Sequence, residues 1–144
     1  MAKDALKFFQ AYLREMVDVG GENLPRAIST KLGTKLGQVY EKKGLTDGFE
    51  RALKQIYIAL GAKPKITKVN EGDYEISVKH SNKWCPIGGD YSPKNAKLFQ
   101  KNVCIPYTLE FLNQISTDKF EIDIEQCILE TNKSVCEYCL KKAK

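Results

Sequence analysis

Apolar residues recur every three or four positions through the first sixty residues, which is the period of an amphipathic helix. The pattern predicts three helices, over residues 4–19, 24–43 and 47–60, with Asp47 and Glu50 forming a capping box for the third. Each helix has one apolar stripe that we expect to be buried. The stripes are Phe9, Tyr12, Leu13 and Met16; then Ile28, Leu32, Leu36, Val39 and Tyr40; then Phe49, Ala52, Leu53, Ile56, Tyr57 and Leu60.

The period changes to two in the second half of the chain. Residues 66–81 predict a hairpin that turns at residues 70–73, and residues 119–131 and 134–142 predict a second hairpin. Between them, residues 103–115 predict a helix. The order predicts a single α+β domain over residues 1–144. Its N-terminal helices would pack on an antiparallel sheet of about four strands, with a further helix between the two hairpins.

Gly33 and Gly37 lie one turn apart inside the second predicted helix. Each costs roughly 1 kcal/mol relative to alanine in a helix interior. A cost of that size indicates that something approaches this helix face closely. Two interpretations remain open: a packed neighbouring helix, or the wall of a ligand cavity.

The chain carries a net charge of +5, with its basic residues interleaved with acidic ones. That distribution favours a solvated surface over direct nucleic-acid binding, which would cluster the charge on one element. No apolar run is long enough to span a membrane, and the N-terminal segment lacks the apolar core of a signal peptide. We therefore expect a cytoplasmic protein, in which five cysteines are unsuited to structural disulfides.

The cysteines are the main candidates for chemistry. Cys127 and Cys136 lie on the two arms of the second predicted hairpin, and Cys104 begins the helix expected to pack over it. Cys136 and Cys139 share C-x-x-C spacing, but on a regular strand they face opposite sides. Three sulfurs from Cys104, Cys127 and Cys136, with Cys85, Cys139 or Glu125 as a fourth ligand, predict a structural zinc site. An iron–sulfur or redox role and plain structural thiols are the alternatives.

Three segments resemble the 4-vinyl-reductase domain family of small-molecule and hydrocarbon-binding proteins. They are "ISTKLGTKLGQVYEKKG", "NVCIPYTLEFLNQI" and "IEQCILETNKSVCEYCL". The resemblance implies a fold shared with TRAPP transport-complex subunits, which can hold an acyl chain. It also implies that Cys104, Cys127 and Cys136 match zinc-ligand positions beside an apolar effector pocket. The family's glutamate position is Ile124 here, with the acid at Glu125, which favours Cys85 or Cys139 as the fourth ligand.

These features predict a stand-alone binding or sensor module with an internal pocket for a small hydrophobic or aromatic ligand, working as a homodimer. The expected pocket residues are Leu36, Gly37, Tyr40, Tyr57, Trp84, Tyr107 and Phe111. Such pockets use the same residue types as a core, so periodicity alone does not separate the two. Two alternatives are a thiol-based redox protein or small enzyme using Cys85 or the Cys136/Cys139 pair, and a dimeric assembly subunit. A binding role is favoured over catalysis.

Overall fold

A computed structural model describes residues 2–44, 48–80, 85, 89 and 91–143 of the chain. Two residues given roles above, Asp47 of the capping box and Trp84 of the pocket, lie outside these ranges. The helices are α1 Ala2–Gly20, α2 Asn23–Lys42, α3 Phe49–Ala59, α4 Pro93–Phe99, α5 Ile105–Ile115 and the short α6 Ile128–Thr131. The strands are β1 Lys63–Asn70, β2 Asp73–Lys79, β3 Phe120–Gln126 and β4 Val135–Lys142.

The four strands form one antiparallel sheet in the order β1-β2-β4-β3. One face of this sheet carries Ile76, Val78, Tyr138 and Leu140, which are buried against residues of α3 and α5. Helices α3 and α5 therefore cover the inner face, and α2 packs on α5 from outside. The predicted α+β class, with helices on a four-stranded antiparallel sheet, is confirmed.

The second hairpin differs from its prediction at residues 128–131. We expected the strand to continue to residue 131, but β3 ends at Gln126 and α6 follows as a single helical turn. The hydroxyl of Thr131 donates to the carbonyl of Cys127, and Asn132 ends the turn in the left-handed region at φ 55°. These local hydrogen bonds compete with the inter-strand hydrogen bonds of the sheet, which is why the strand stops there.

The buried face of α2 is the second departure from prediction. Its buried residues are Pro25, Ser29, Gly33 and Gly37, spaced four apart, whereas Leu32 and Val39 of the expected stripe are exposed. A Cβ at Gly33 would lie 2.3 Å from the carbonyl oxygen of Tyr107. The small-residue ridge thus lets the α2 backbone approach α5, and it turns the larger apolar side chains outward.

The outward face of α1 is similarly apolar. Only Leu13 of its predicted stripe is buried, while Phe9 and Tyr12 are exposed. Phe8 is exposed too, and its ring lies 5.2 Å from that of Tyr12. A helix that shows aromatic residues on its outer face has surface left to bury.

One continuous helical segment runs from Pro93 to Ile115, interrupted by a π-helical turn at Gln100–Cys104. Pro106 lies two residues after this turn, and a proline in a helix leaves the carbonyl four residues earlier without its partner. The backbone widens there, with the Ile105 amide donating to the carbonyl of Gln100, five residues back. Such π turns are frequent at functional sites, and this one ends on Cys104.

Candidate ligand groove and cysteine cluster

A groove of about 560 Å³ lies between α2, α3 and the π-helical turn with α5. Its floor includes the buried Val103 and the half-buried Leu36 and Tyr107, and its open rim carries exposed residues. The lining residues are Phe9, Ser29, Leu32, Lys35, Leu36, Val39, Tyr40, Ile56, Ala59, Leu60, Val103 and Tyr107. A volume of this size and an apolar lining with few polar groups are typical of small-molecule sites.

Two tyrosines, Tyr40 and Tyr107, line the groove. Burial raises the pKa of Tyr107, and the neighbouring Tyr40 raises it further. Burial also raises the pKa of Tyr40, whose ring meets that of Phe111 edge-on at 5.3 Å. Both phenols therefore stay neutral at physiological pH, and they offer hydrogen bonds without charge.

The predicted pocket residues divide into two groups. Leu36, Tyr40 and Tyr107 line the groove. Gly37 instead faces α5, where a Cβ would lie 2.5 Å from Gln114. Phe111 is fully buried in the core beneath. The groove is open at its rim, whereas the sequence predicted an internal pocket.

Tyr57 is the remaining predicted pocket residue, and it points away from the groove. Its hydroxyl is hydrogen-bonded to that of Tyr138, which ties α3 to β4. Burial raises the pKa of Tyr57 well above its usual value, with Tyr138 the next cause and Cys136 and Cys104 further ones. No spacing in the sequence indicates this pair, because its partners lie on different elements.

Four cysteines come together at the end of the sheet that carries α6. The pKa of Cys104 is raised well above its usual value, first by burial and then by the charges of Cys85, Cys136 and Cys127. Burial raises the pKa of Cys136 to about 12, with Cys85 and Cys127 again contributing. We name Cys85, Cys104, Cys127 and Cys136 the cysteine cluster.

Each member of the cysteine cluster comes from a different element. Cys104 ends the π-helical turn, Cys127 precedes α6, and Cys136 lies on the inner face of β4 opposite Val78. Cys85 forms a two-way backbone bridge with Gly89, at 2.8 Å in both directions. The cluster therefore joins the helical layer to the sheet.

Gln10 of α1 contacts both Cys85 and Gly89. Its side-chain amide donates to the Cys85 carbonyl at 3.3 Å. Gly89, with φ +87°, lies close to the same side chain. A Cβ added at position 89 would lie 2.9 Å from Oε1 of Gln10. A glycine is therefore required at position 89 by both backbone conformation and space.

Cys139 lies on the other face of β4, away from the cysteine cluster. Its thiol donates to the carboxylate of Glu125, and this hydrogen bond, followed by burial, raises the pKa of Cys139 to about 11. Cys136 and Cys139 therefore do not approach each other across a regular strand. Thiols held protonated in this way are also poor nucleophiles at neutral pH, which disfavours a redox role for the Cys136/Cys139 pair.

The cysteine cluster fits a zinc ion by ligand type. Four thiols are the ligand set of closed structural sites, which leave no open position for catalysis. In the described part of the chain, one group of three or more donors has ligand atoms all within 4.8 Å of one another, namely Glu75, Glu125 and Cys139. The cluster is not that group, so its sulfurs would draw together on binding an ion.

Comparison with known proteins shows the fold. The arrangement of helices over the sheet is similar to that of a solved trafficking-complex subunit. One solved structure that matches is trafficking protein particle complex subunit 3 from Naegleria fowleri, covalently bound to palmitic acid. It superposes with a TM-score of 0.67, over 99% of this chain and 95% of that one, at 14% sequence identity. At that identity the likeness establishes a common fold.

Two other comparisons found no relative. No family model matches the chain, and no curated protein sequence matches it. The resemblance to the 4-vinyl-reductase family therefore stays a prediction. Among the described residues, no helix is both long and apolar enough to cross a membrane.

Proposed function

We propose that the protein is a binding module that holds an elongated apolar ligand in the groove between α2, α3 and α5. The observation that carries this proposal is the orientation of α2, whose small residues are buried while part of its predicted apolar stripe is exposed. Gly33 and Gly37 bury the small face of the helix, so Leu32 and Val39 line the groove instead of a core, and the half-buried Leu36 contacts both. Apolar side chains held open to solvent in a concave site are stabilised by a ligand that covers them.

The shape of the groove favours a chain over a compact ring. It follows α2 from Ser29 to Tyr40, a rise of eleven residue steps and so about 16 Å along the helix axis. The trafficking-complex subunit of the same fold carries palmitic acid, which is a chain of this kind. That protein binds it covalently. Here none of the described groove residues is a cysteine, so the ligand we propose is held without a covalent bond.

A groove-filling variant tests this proposal. In Leu36→Trp the larger side chain occupies the floor, and we expect at least tenfold weaker binding of a fluorescent long-chain probe. Ile58→Trp is the matched control, because Ile58 lies on α3, is 53% exposed and does not line the groove. Both affinities are measured by fluorescence titration, after native mass spectrometry of the purified protein has shown whether a ligand is already bound. Equal affinities in the two variants would rule the groove out as the binding site.

We further propose that the cysteine cluster binds a structural zinc ion. The ion would clamp Cys104 at the end of the π-helical turn to Cys127 and Cys136 beside the sheet, with Cys85 as the fourth ligand. Burial and neighbouring thiols raise the pKa of Cys104 and Cys136, so these thiols are protonated at neutral pH and zinc must displace their protons. Zinc affinity is therefore expected to rise as pH is raised from about 6 to about 8.

The fifth cysteine provides the control for this site. Elemental analysis should find about one zinc per chain in the wild type and in Cys139→Ser, but less in Cys127→Ser, which should also unfold at lower temperature. The wild type gives a test that does not depend on a variant folding. With zinc bound, the four cluster thiols should resist a thiol reagent, and a chelator should make them reactive. Freshly isolated, reduced protein without stoichiometric metal would exclude the zinc site.

We propose, lastly, that the exposed aromatic face of α1 contacts a second copy of the chain. Phe8 and Tyr12 are 68% and 56% exposed, and Phe9, beside them, already forms part of the groove rim. A dimer formed there would cover apolar surface and close the groove from one side.

A further inference from the structure

Lys35 is the one charged side chain among the described residues that line the groove. It lies on the exposed rim, about midway between Ser29 and Tyr40 along α2. The other polar lining residues, Ser29, Tyr40 and Tyr107, carry neutral hydroxyls. A ligand in the groove would therefore meet a single fixed charge, and that charge is positive.

The surroundings of Lys35 leave its charge unopposed within the described chain. Helix α2 has four basic residues and one acid, Glu41. The Glu41 carboxylate accepts a hydrogen bond from Gln114 of α5, on the side of α2 away from Lys35. The ion pairs found among the described residues involve Lys97 and Lys142. An ammonium group at an apolar rim that has no carboxylate partner among the described residues is suited to pair with an anionic ligand group.

From these observations we infer that the groove selects a single-chain apolar acid and that Lys35 pairs with its carboxylate. This inference rests on the proposed function, and it names the ligand class. The apolar chain would cover Leu36, Val103 and the tyrosine rings, while the carboxylate stays at the rim, where water still reaches it. The four-carbon stem of Lys35 can lie along the chain while its ammonium donates to the carboxylate.

The absence of cysteine from the described groove lining has a chemical consequence for this ligand. An acid that is joined covalently through its carboxyl group loses its charge. An acid held without a covalent bond keeps it, and Lys35 then contributes to affinity. Lys35 is thus a specificity-determining residue that separates acids from neutral chains of equal length.

A pair of ligands with the same chain tests Lys35 directly. Dodecanoic acid and dodecan-1-ol, both below their solubility limits, are titrated against the wild type at neutral pH. The wild type should bind the acid about fivefold more tightly than the alcohol, the ratio expected for one solvent-accessible ion pair. Lys35→Met should reduce that ratio to about one without changing the affinity for the alcohol. Lys31→Met, one turn earlier and outside the groove lining, should keep the wild-type ratio.

The outcomes separate this inference from the proposed function. If the wild type binds neither ligand, the groove proposal itself fails. If it binds acid and alcohol equally, or if Lys35→Met keeps the preference for the acid, the groove stands and the role of Lys35 is overturned. High salt should weaken acid binding towards that of the alcohol, because a rim ion pair is screened.

Discussion

The carbonyl oxygen of Tyr107 occupies the space that any side chain at position 33 would need. At Gly33 the missing Cβ lets α2 lie against the α5 backbone, and Tyr107 then contributes its ring to the groove. The lack of a Cβ atom at residue 33 therefore affects both the packing of α2 on α5 and the shape of the groove.

Substitution of this glycine should destabilise the protein. In Gly33→Ala the new methyl group would lie 2.3 Å from a backbone oxygen that has little freedom to move. Overpacking of this kind costs about 3 kcal/mol at most, and alanine returns about 1 kcal/mol of helix propensity. We expect the free energy of unfolding, measured by urea titration, to fall by roughly 2 kcal/mol.

Gly20→Ala is the control for that experiment. Gly20 is also helical, but a Cβ there first meets Cδ2 of the exposed Leu24, at 2.9 Å, which can rotate away, and then Cβ of Leu24 at 3.1 Å, which needs to give by a few tenths of an ångström. Its stability should stay within about 0.5 kcal/mol of the wild type. Equal losses in the two variants would mean that the contact with Tyr107 does not limit the approach of the helices.

At the level of single residues, the sequence predicts that Cys136 and Cys139 lie on opposite faces of β4. The C-x-x-C spacing on a strand implies opposite faces, and the structure places Cys136 inward and Cys139 outward. By contrast, the pairing of Tyr57 with Tyr138 depends on how α3 crosses the sheet. Local spacing carries no information about such a contact.

At the scale of elements, α2 shows what periodicity leaves open. The 3.6-residue pattern predicts a helix here, and α2 spans Asn23–Lys42. The same pattern assigns Leu32 and Val39 to the core, whereas they face the groove. Side-chain size decided the orientation, because close backbone packing on α5 buries the ridge of small residues in preference to the larger apolar stripe.

The π-helical turn and α6 were missed for a related reason. Both are short departures inside longer regular patterns, at residues 100–104 and 128–131. Pro106 is visible in the sequence, but proline near the start of a helix predicts an ordinary first turn as readily as a widened one. The choice between them depends on the neighbours of Asn102, whose buried side chain accepts hydrogen bonds from Arg26.

At the scale of the whole molecule, the groove and the cysteine cluster share a wall. Val103 lines the groove, and the next residue, Cys104, belongs to the cluster. Similarly, Ile56 lines the groove, and the next residue, Tyr57, is hydrogen-bonded to Tyr138 near Cys136. Under the proposed function, a zinc ion would therefore hold the floor of the ligand site in shape.

The proposed dimer is also a property of the whole molecule. Light scattering coupled to size exclusion should give twice the subunit mass for the wild type. Phe8→Glu combined with Tyr12→Glu should give a monomer, because charges on the apolar α1 face cannot be buried without partners. Tyr91→Glu, at a residue 50% exposed and outside α1, should leave the dimer intact. A wild type that is monomeric at every concentration would rule out the proposed α1 interface.

The strand order has a consequence for synthesis. β4 follows the other three described strands in sequence, but it lies between β2 and β3, and β3 pairs with no other described strand. While the ribosome is still making residues 135–142, the nascent chain therefore holds one completed hairpin with an open edge and one strand without a neighbour. Open edges pair readily with other polypeptides. The hazard of aggregation is thus greater before β4 is made than after this eight-residue strand has paired with both β2 and β3.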